Sequence, residues 1–233
     1  NKHAKEVLFD EKSLQISKDG YFIFGFGRNH KSFSTLKIIK DNKNNILKYN
    51  FDINKSIYKI EKIDGLPKKM VTPGPEFYKK INEDRALIKN SMNERYVIDK
   101  FPLTFIMPTE GRISGIYGSQ RILNGVKKNP HGGLDIAAPS GTPIKSTADG
   151  KILLAAKGLY YTGNIVIIDH GYDLQSMYIH MKDINIKKGD LVKQGQIIGT
   201  VGSTGRSTGP HLHWNVYWKK IRINPKHLIS ISK

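Results

Sequence analysis

The C-terminal half of the chain alternates short apolar runs with glycine-containing turns, and it has no stretch with the apolar periodicity of a helix. Between Phe101 and Asn224 the runs are only a few residues long, as at Ile165–Ile168, which is followed at once by Asp169-His170-Gly171. Short apolar runs bounded by turn residues are typical of strands, whereas a helix needs a longer periodic segment. This half of the chain is therefore predicted to be all-β or nearly so.

The N-terminal part has the same character and carries no recognisable chemistry. Residues 1–70 contain short runs rich in Ile, Tyr and Phe, separated by turn signals such as Asp19-Gly20. Strands this short and regular predict a small β-sandwich-like domain. The aromatic run Tyr21–Phe26 is predicted to be one of its strands and to face a core rather than a ligand.

A single connecting helix is predicted between the two β-rich parts. Four apolar residues of this segment fall on one helical face: Phe77, Ile81, Ile88 and Met92. The prolines of residues 72–75 fit a helix start, because proline is tolerated in the first turn. The chain is thus divided into an N-terminal β-rich domain (1–70), a connecting helix and linker (71–99) and a C-terminal domain (100–233).

Four histidines and one aspartate lie in three short clusters of the C-terminal half. The clusters are His131-Gly-Gly-Leu-Asp135, Tyr178-Ile-His180 and His211-Leu-His213. Histidine and carboxylate are the ligands that Zn²⁺ prefers when cysteine is absent, and the chain has no cysteine. A catalytic zinc site typically uses three protein ligands and water. The clusters therefore offer three ligands and leave two imidazoles for acid–base chemistry.

Asp135 is a strong ligand candidate because it stands inside an apolar run. It lies between Leu134 and residues 136–138, where a carboxylate costs several kcal/mol unless it is paired or metal-bound. A straight strand would hold the Cα atoms of His131 and Asp135 about 13 Å apart, at or past the reach of one ion. The two glycines between them let the backbone bend and close this gap.

The other histidines can surround an ion from a strand. His211 and His213 are two residues apart, so on a strand they share one face while Leu212 points to the core. One of the two can bind an ion while the other faces its open side. His180 alone would be an ordinary histidine. It becomes a candidate because the chain lacks the His-Glu-x-x-His motif, so that imidazole must serve as the acid–base group.

The charge of the chain predicts diffuse attraction to a polyanion. The formal net charge is +18, and only seven of the 38 basic residues are arginine. The polyanion could be nucleic acid, anionic lipid or an acidic cell-wall polymer. Specific reading of nucleic acid relies on arginine, so we expect a diffuse charge effect and no specific nucleic-acid partner. No apolar run approaches the ~18 residues that cross a bilayer. The first residue is Asn rather than Met, and we expect a removed export segment.

These motifs resemble peptidase family M23, the zinc metallopeptidases of the lysostaphin and LytM group. The matching motifs are His131-x3-Asp135, His180 in Tyr-x-His, and His211-x-His213, with the flanking segments 189–199 and 202–213. The likeness covers about Pro108 to Pro225. No family position is missing in this sequence.

The resemblance implies a fold, a site and a reaction. The fold is expected to be all-β and mainly antiparallel, with a narrow groove over the metal. His131, Asp135 and His213 would hold one Zn²⁺, and His180 and His211 would act beside a metal-activated water as acid–base and transition-state stabilising groups. The implied enzyme is an endopeptidase that cuts peptide cross-links of bacterial peptidoglycan. It would work in the cell envelope, in the periplasm, after export.

Two other functions fit parts of the sequence. A zinc-bound cell-wall module could regulate or position another wall hydrolase, because the N-terminal domain could cover a complete site. A swinging-arm carrier would match the turns of Gly189–Gly199, but it needs an exposed lysine between methionine-like neighbours, which this segment lacks. The sequence leaves open the bond that is cut, the oligomeric state, and which of His180 and His211 is the general base.

Overall fold

The computed structural model describes residues 4–40, 45–96 and 101–231. Most of the regular structure in these residues is antiparallel β-sheet, as predicted. The N-terminal elements are β1 (Glu6–Phe9), β2 (Lys12–Ser13), β3 (Phe33–Ile39), β4 (Ile46–Asp52), β5 (Ile60–Ile63), α1 (Lys68–Val71), a 3-10 turn (Pro75–Phe77) and α2 (Tyr78–Ser91). The C-terminal elements are β6 (Arg112–Gly115), β7 (Gln120–Leu123), β8 (Val126–Lys127), β9 (Leu134–Ala137), β10 (Pro143–Lys145), β11 (Gly150–Leu159), β12 (Gly163–Asp169), β13 (Leu174–Met181), β14 (Leu191–Val192), β15 (Ile197–Thr200), β16 (His211–Trp218), β17 (Ile221–Ile223) and α3 (Pro225–Ile231).

The C-terminal part is built on an eight-stranded sheet. Its strands follow the order β14-β11-β12-β13-β16-β9-β6, and β17 pairs with β16. Successive residues of a strand point to opposite faces. On β12, Val166 and Ile168 therefore pack into the larger core, while Ile165 and Ile167 pack into a smaller one. Both faces of the sheet are covered, which explains why β12 and β13 are buried along their whole length.

Four of the N-terminal strands form one antiparallel sheet of order β2-β1-β3-β4, whereas β5 pairs in parallel with β7 in a separate sheet. Alternate residues of β1 and β3, such as Val7 and Leu36, belong to the larger core together with residues of the C-terminal sheet. The rings of Phe9 and Trp218 meet edge to face at 5.8 Å. The division at 70/71 falls within α1 and that at 99/100 lies outside the described residues. The proposed domain boundaries stay a prediction.

The run Tyr21–Phe26 is not a strand, contrary to our prediction. Its residues are not paired in a ladder, and the aromatic side chains pack instead as a half-buried layer on the core. Phe24 stacks on Phe9 with ring centroids 4.6 Å apart, and Phe26 lies 5.8 Å from the same ring. The alternating aromatic residues thus belong to an extended segment that packs on the core without hydrogen bonding to a neighbouring strand.

The connecting helix begins where the prolines predict. The 3-10 turn starts at Pro75 and leads directly into α2. Ile81 and Met92 are buried. The carboxylate of Asp84 on α2 accepts the backbone N–H of Tyr160 at 2.7 Å, which ties the helix to the end of β11. The short helices α1 and α3 were not predicted. Within the described residues, no helix has the length and apolar character needed to span a membrane.

Candidate metal centre

Three ligand atoms meet at one point on the smaller-core face of the large sheet. Nε2 of His131 lies 3.0 Å from Oδ1 of Asp135 and 2.9 Å from Nδ1 of His213. The remaining distance, from Nδ1 of His213 to Oδ1 of Asp135, is 2.6 Å. The circle through these three atoms has a radius of about 1.6 Å, less than the 2.0–2.1 Å of a Zn–N bond. A point above the triangle can therefore lie at bonding distance from all three atoms.

The register between β9 and β16 brings two of these candidate ligands together. β9 and β16 are antiparallel neighbours, and Asp135 stands directly opposite His213. Their chain neighbours Leu134 and Leu212 are buried in the larger core on the other face. This alternation leaves the carboxylate and the imidazole on the same side of the sheet. His131 precedes β9 and reaches the point from the adjoining loop.

Hydrogen bonds fix the imidazoles of the cluster. A backbone carbonyl can only accept, so the contact of 2.8 Å between Nδ1 of His131 and the Ile116 carbonyl places the proton on Nδ1. The Nε2 lone pair is then free to bind a metal, which is the usual arrangement of an outer hydrogen bond behind a metal-binding histidine. Burial lowers the pKa of His213 to about 4. The imidazole of His213 is thus held in the neutral form that binds metal.

The second oxygen of Asp135 contacts Arg121. Oδ1 faces the two imidazoles, whereas Oδ2 accepts a hydrogen bond from the guanidinium of Arg121. Arg121 also lies near Glu61, with its Nε 3.5 Å from Oε2. Burial alone would raise the pKa of Asp135, but His213 and His131 hold it well below its usual value. The carboxylate is ionised, and only one of its oxygens faces the cluster.

His180 and His211 lie close to the three candidate ligands. Their ring centroids are 4.8 Å apart, and Nε2 of His211 lies 3.9 Å from Oδ1 of Asp135. The carbonyls of Thr204 and Gly209 accept the Nδ1–H groups of His180 and His211, each at 2.8 Å. The Nε2 atoms are therefore left unprotonated when the rings are neutral. All five predicted site residues are brought together by the fold.

The backbone and the environment of His180 are unusual. Its φ is +65°, in the left-handed region that residues with a side chain rarely adopt. Burial, together with the nearby His211 and His213, lowers the pKa of His180 to about 3. Strained backbone of this kind gathers at functional sites. The strain agrees with a histidine that is held for chemistry rather than for packing.

The cluster lines a groove of about 480 Å³. Arg121 and Arg206 reach its wall, and Arg206 stacks over the ring of Tyr161 at 4.6 Å. Two buried polar atoms of the wall, Oγ1 of Thr162 and Oδ1 of Asn215, have no hydrogen-bond partner within the described part of the chain. Sequence reasoning missed these residues. Only Asn215 could have been found from the sequence, because it lies two residues after His213 and therefore on the same face of the strand.

Comparison with known proteins matches this centre to a peptidase family. Residues 129–225 match the model described as peptidase family M23. The chain is 42% identical over 143 residues to an uncharacterized metalloprotease of Buchnera aphidicola, covering 60% of this chain and 38% of that protein. It is 36% identical over 129 residues to the peptidoglycan DD-endopeptidase ShyA of Vibrio cholerae, covering 55% of this chain and 29% of that protein. This chain therefore spans well under half the length of these curated relatives.

A solved structure extends the likeness to nearly the whole chain. The crystal structure of a peptidase M23 from Pseudomonas aeruginosa superposes with a TM-score of 0.68 at 26% sequence identity. The alignment covers 97% of this chain and 88% of that chain. The arrangement of the N-terminal sheet, the helix and the large sheet is thus shared with that protein.

Proposed function

Because residues 129–225 match the model of peptidase family M23, we propose that this chain is a zinc metalloendopeptidase that cuts peptide cross-links of bacterial peptidoglycan. The observation that carries the proposal is the meeting of His131, Asp135 and His213 at one point, with two further imidazoles beside it. The naming of the relative ShyA as a peptidoglycan DD-endopeptidase supports the substrate class.

The donor set fits zinc. Two imidazoles and one carboxylate oxygen are ligands that Zn²⁺ binds readily, and three protein ligands leave the fourth position open, as in catalytic rather than structural zinc sites. His131, Asp135 and His213 would hold the ion. When bound there, zinc supplies a water of lowered pKa and polarises the carbonyl of the bond to be cut.

His180 and His211 would carry the proton transfers. Each presents an unprotonated Nε2 when neutral, because its Nδ1–H is donated to a backbone carbonyl. One of these Nε2 atoms accepts a proton from the attacking water and later donates it to the leaving amine. The protonated or neutral ring of the other histidine stabilises the negative oxygen that develops on the carbonyl carbon. Either histidine can take either role.

The groove walls would align the peptide. Oδ1 of Asn215 can accept a hydrogen bond from a peptide N–H, and the hydroxyl of Thr162 can donate or accept one. A buried polar atom without a partner costs free energy, which substrate binding would recover. The backbone of an extended peptide has donors and acceptors of the required kind.

The charge of the chain suits an anionic cell wall. A net charge of +18 raises the rate of approach to acidic wall polymers, an effect that salt screens. We place the enzyme in the cell envelope, in the periplasm. It needs no specific nucleic-acid partner for this function.

A second candidate is a zinc-bound module that regulates or positions another wall hydrolase. The feature that favours it is the N-terminal contribution to the groove, since Ile63, Leu66 and Val71 line the same cavity as the metal cluster. Arg206 also donates to the carbonyl of Met70 at 3.4 Å. A groove bordered in this way could be kept from substrate until a partner moves the N-terminal residues.

Digestion of purified peptidoglycan separates the two candidates. The zinc-loaded chain is incubated with peptidoglycan, and new amino termini and the masses of the released fragments are measured. We expect cleavage by the unmodified chain and by the control His227→Ala, which changes an exposed histidine of α3. His180→Ala should release no fragments. Absence of cleavage by the unmodified chain with zinc bound would favour the regulatory module.

A further inference from the structure

A second cavity adjoins the groove of the metal cluster. It has a volume of about 860 Å³, and its lining includes His131, Gly132 and Arg222, which also line the groove. We refer to this space as the basic cavity. Its size falls in the range of cavities that take small ligands, about 300–1,000 Å³. The two spaces therefore border the same residues around His131.

The basic cavity is lined by cations without counter-charges. The five basic residues of its lining are Arg28, Arg85, Lys89, Lys220 and Arg222, and no described residue of the lining is acidic. None of the five forms an ion pair with a carboxylate among residues 4–40, 45–96 and 101–231. Arg121 in the groove differs, because it contacts both Asp135 and Glu61. Within the described residues, the basic cavity thus combines five basic lining residues with no acidic one, whereas the groove also contains Asp135.

Two of its arginines are held in place. The Nε–H of Arg28 donates to the carbonyl of Gly118 at 2.7 Å, and the guanidinium lies 4.5 Å from the ring centre of Tyr58. The Nε–H of Arg222 donates to the hydroxyl of Tyr217 at 3.1 Å. These contacts restrict both side chains before any ligand arrives, so less conformational entropy is lost on binding. The Nη groups of Arg222 are left to meet a ligand.

We propose that the basic cavity binds a carboxylate-bearing arm of the peptide substrate. The proposal rests on the proposed function, because it assigns a second contact to the same substrate. Guanidinium groups bind carboxylates through two parallel hydrogen bonds, which gives geometric as well as electrostatic selection. A cross-linked peptide has more than one arm, so one arm can fill the groove while another reaches the cavity. Two arginines that are positioned beside His131 suit the carboxylate of a peptide bound in the adjoining groove.

A matched pair of peptides tests this assignment. The probes are a fluorescently labelled cross-linked pair of peptidoglycan stem peptides with free carboxylates and the same cross-linked peptide with every carboxylate converted to carboxamide. Binding is measured by fluorescence anisotropy on the zinc-loaded full chain carrying His211→Ala, which we expect to prevent turnover during the titration. We expect the carboxylate form to bind at least about tenfold more tightly, the usual effect of a hydrogen bond to a charged group. Added salt should reduce the difference.

Substitutions in the same background locate the preference. Arg222→Gln should remove most of the difference between the two peptides. Lys89→Gln changes an exposed residue of α2 and should reduce the difference without a risk to folding. The control Lys48→Gln changes an exposed lysine of β4 outside the cavity lining and should leave the difference unchanged.

The outcomes separate this proposal from the proposed function. Equal binding of the two peptides, or a preference that survives both Arg222→Gln and Lys89→Gln, would overturn the basic cavity as a carboxylate site. If the carboxylate preference is found but the unmodified zinc-loaded chain cuts neither peptide nor peptidoglycan, the carboxylate site stands and the peptidase activity fails. If both peptides are cut with the same KM and bind equally, the activity stands and the carboxylate site fails.

Discussion

Substitution of Gly133 tests how the sequence brings the ligands together. A Cβ atom at Gly133 would lie 2.9 Å from the carbonyl carbon of Trp214, closer still to its oxygen, and 2.7 Å from Oδ1 of Asn215. The residue that follows Gly133 pairs with Trp214 across β9 and β16, two strands that each supply one ligand. Neither Gly132 nor Gly133 has a positive φ. Gly133 is therefore required for the space it leaves between the strands.

Gly133→Ala should be strongly destabilising. The clash is with backbone of a strand whose Trp214 side chain is fully buried, so the strands must separate instead of one side chain turning away. Overpacking of this kind costs about 1–3 kcal/mol, and we expect the upper half of that range. For a chain of this size the loss corresponds to a fall in Tm of about 4–12 °C. Zinc affinity should fall about tenfold or more, because the shift moves Asp135 and His213 apart.

Gly132→Ala is the matched control. Its Cβ would meet Cδ of Arg222 at 2.6 Å, near the end of a long, exposed side chain that can shift at the cost of its hydrogen bond to Tyr217. We expect a loss of no more than about 1 kcal/mol, well below that of Gly133→Ala. Thermal unfolding followed by circular dichroism, with and without zinc, and zinc titration against an indicator measure both variants. Equal stability of Gly133→Ala and the unmodified chain, or equal losses in the two variants, would refute the reasoning.

Two further predictions concern charge and pH. Arg121→Gln should weaken zinc binding about 10–100-fold by removing the partner of Asp135 Oδ2, whereas Glu61→Gln should change it by less than about fivefold. Equal effects in an indicator titration would contradict the assigned role of Arg121. His170 is fully buried, and burial lowers its pKa from 6.5 to about 4. Between these two pH values His170 is protonated in the unfolded chain but neutral in the folded chain, so a falling pH favours unfolding. The free energy of unfolding should fall by about 3 kcal/mol more between pH 6.5 and 4 in the unmodified chain than in His170→Gln. It is measured by denaturant unfolding at each pH. An equal fall in the two proteins would show that His170 contributes nothing.

The residues of the centre could be predicted because their spacing in the sequence determines which of them share a face of a strand. His211 and His213 share a face while Leu212 enters the core, as period-two alternation requires. Asp135 stood out as a carboxylate in an apolar run, and the structure surrounds it with two imidazoles and Arg121. Local patterns of this kind survive folding because they depend only on strand pleat and burial.

Other features depend on contacts between distant parts of the chain. Arg121 lies beside Glu61 only because β5 and β7 pair in parallel, and no local pattern predicts that pairing. The Tyr21–Phe26 run has the alternation of a strand, yet its aromatic rings find their partners through packing on Phe9 and not through a ladder. The basic cavity draws Arg28 and Arg222 from opposite ends of the chain. Such contacts are decided by tertiary packing.

Zinc content of two variants on β16 tests the central claim most directly. The bound metal per chain is measured by inductively coupled plasma mass spectrometry for His213→Ala and His211→Ala, two residues apart on the same face. We predict one zinc per chain in the unmodified protein, one in His211→Ala with cleavage lost, and none in His213→Ala. Retention of zinc by His213→Ala, or its loss from His211→Ala, would contradict the assignment of His131, Asp135 and His213 as the metal ligands.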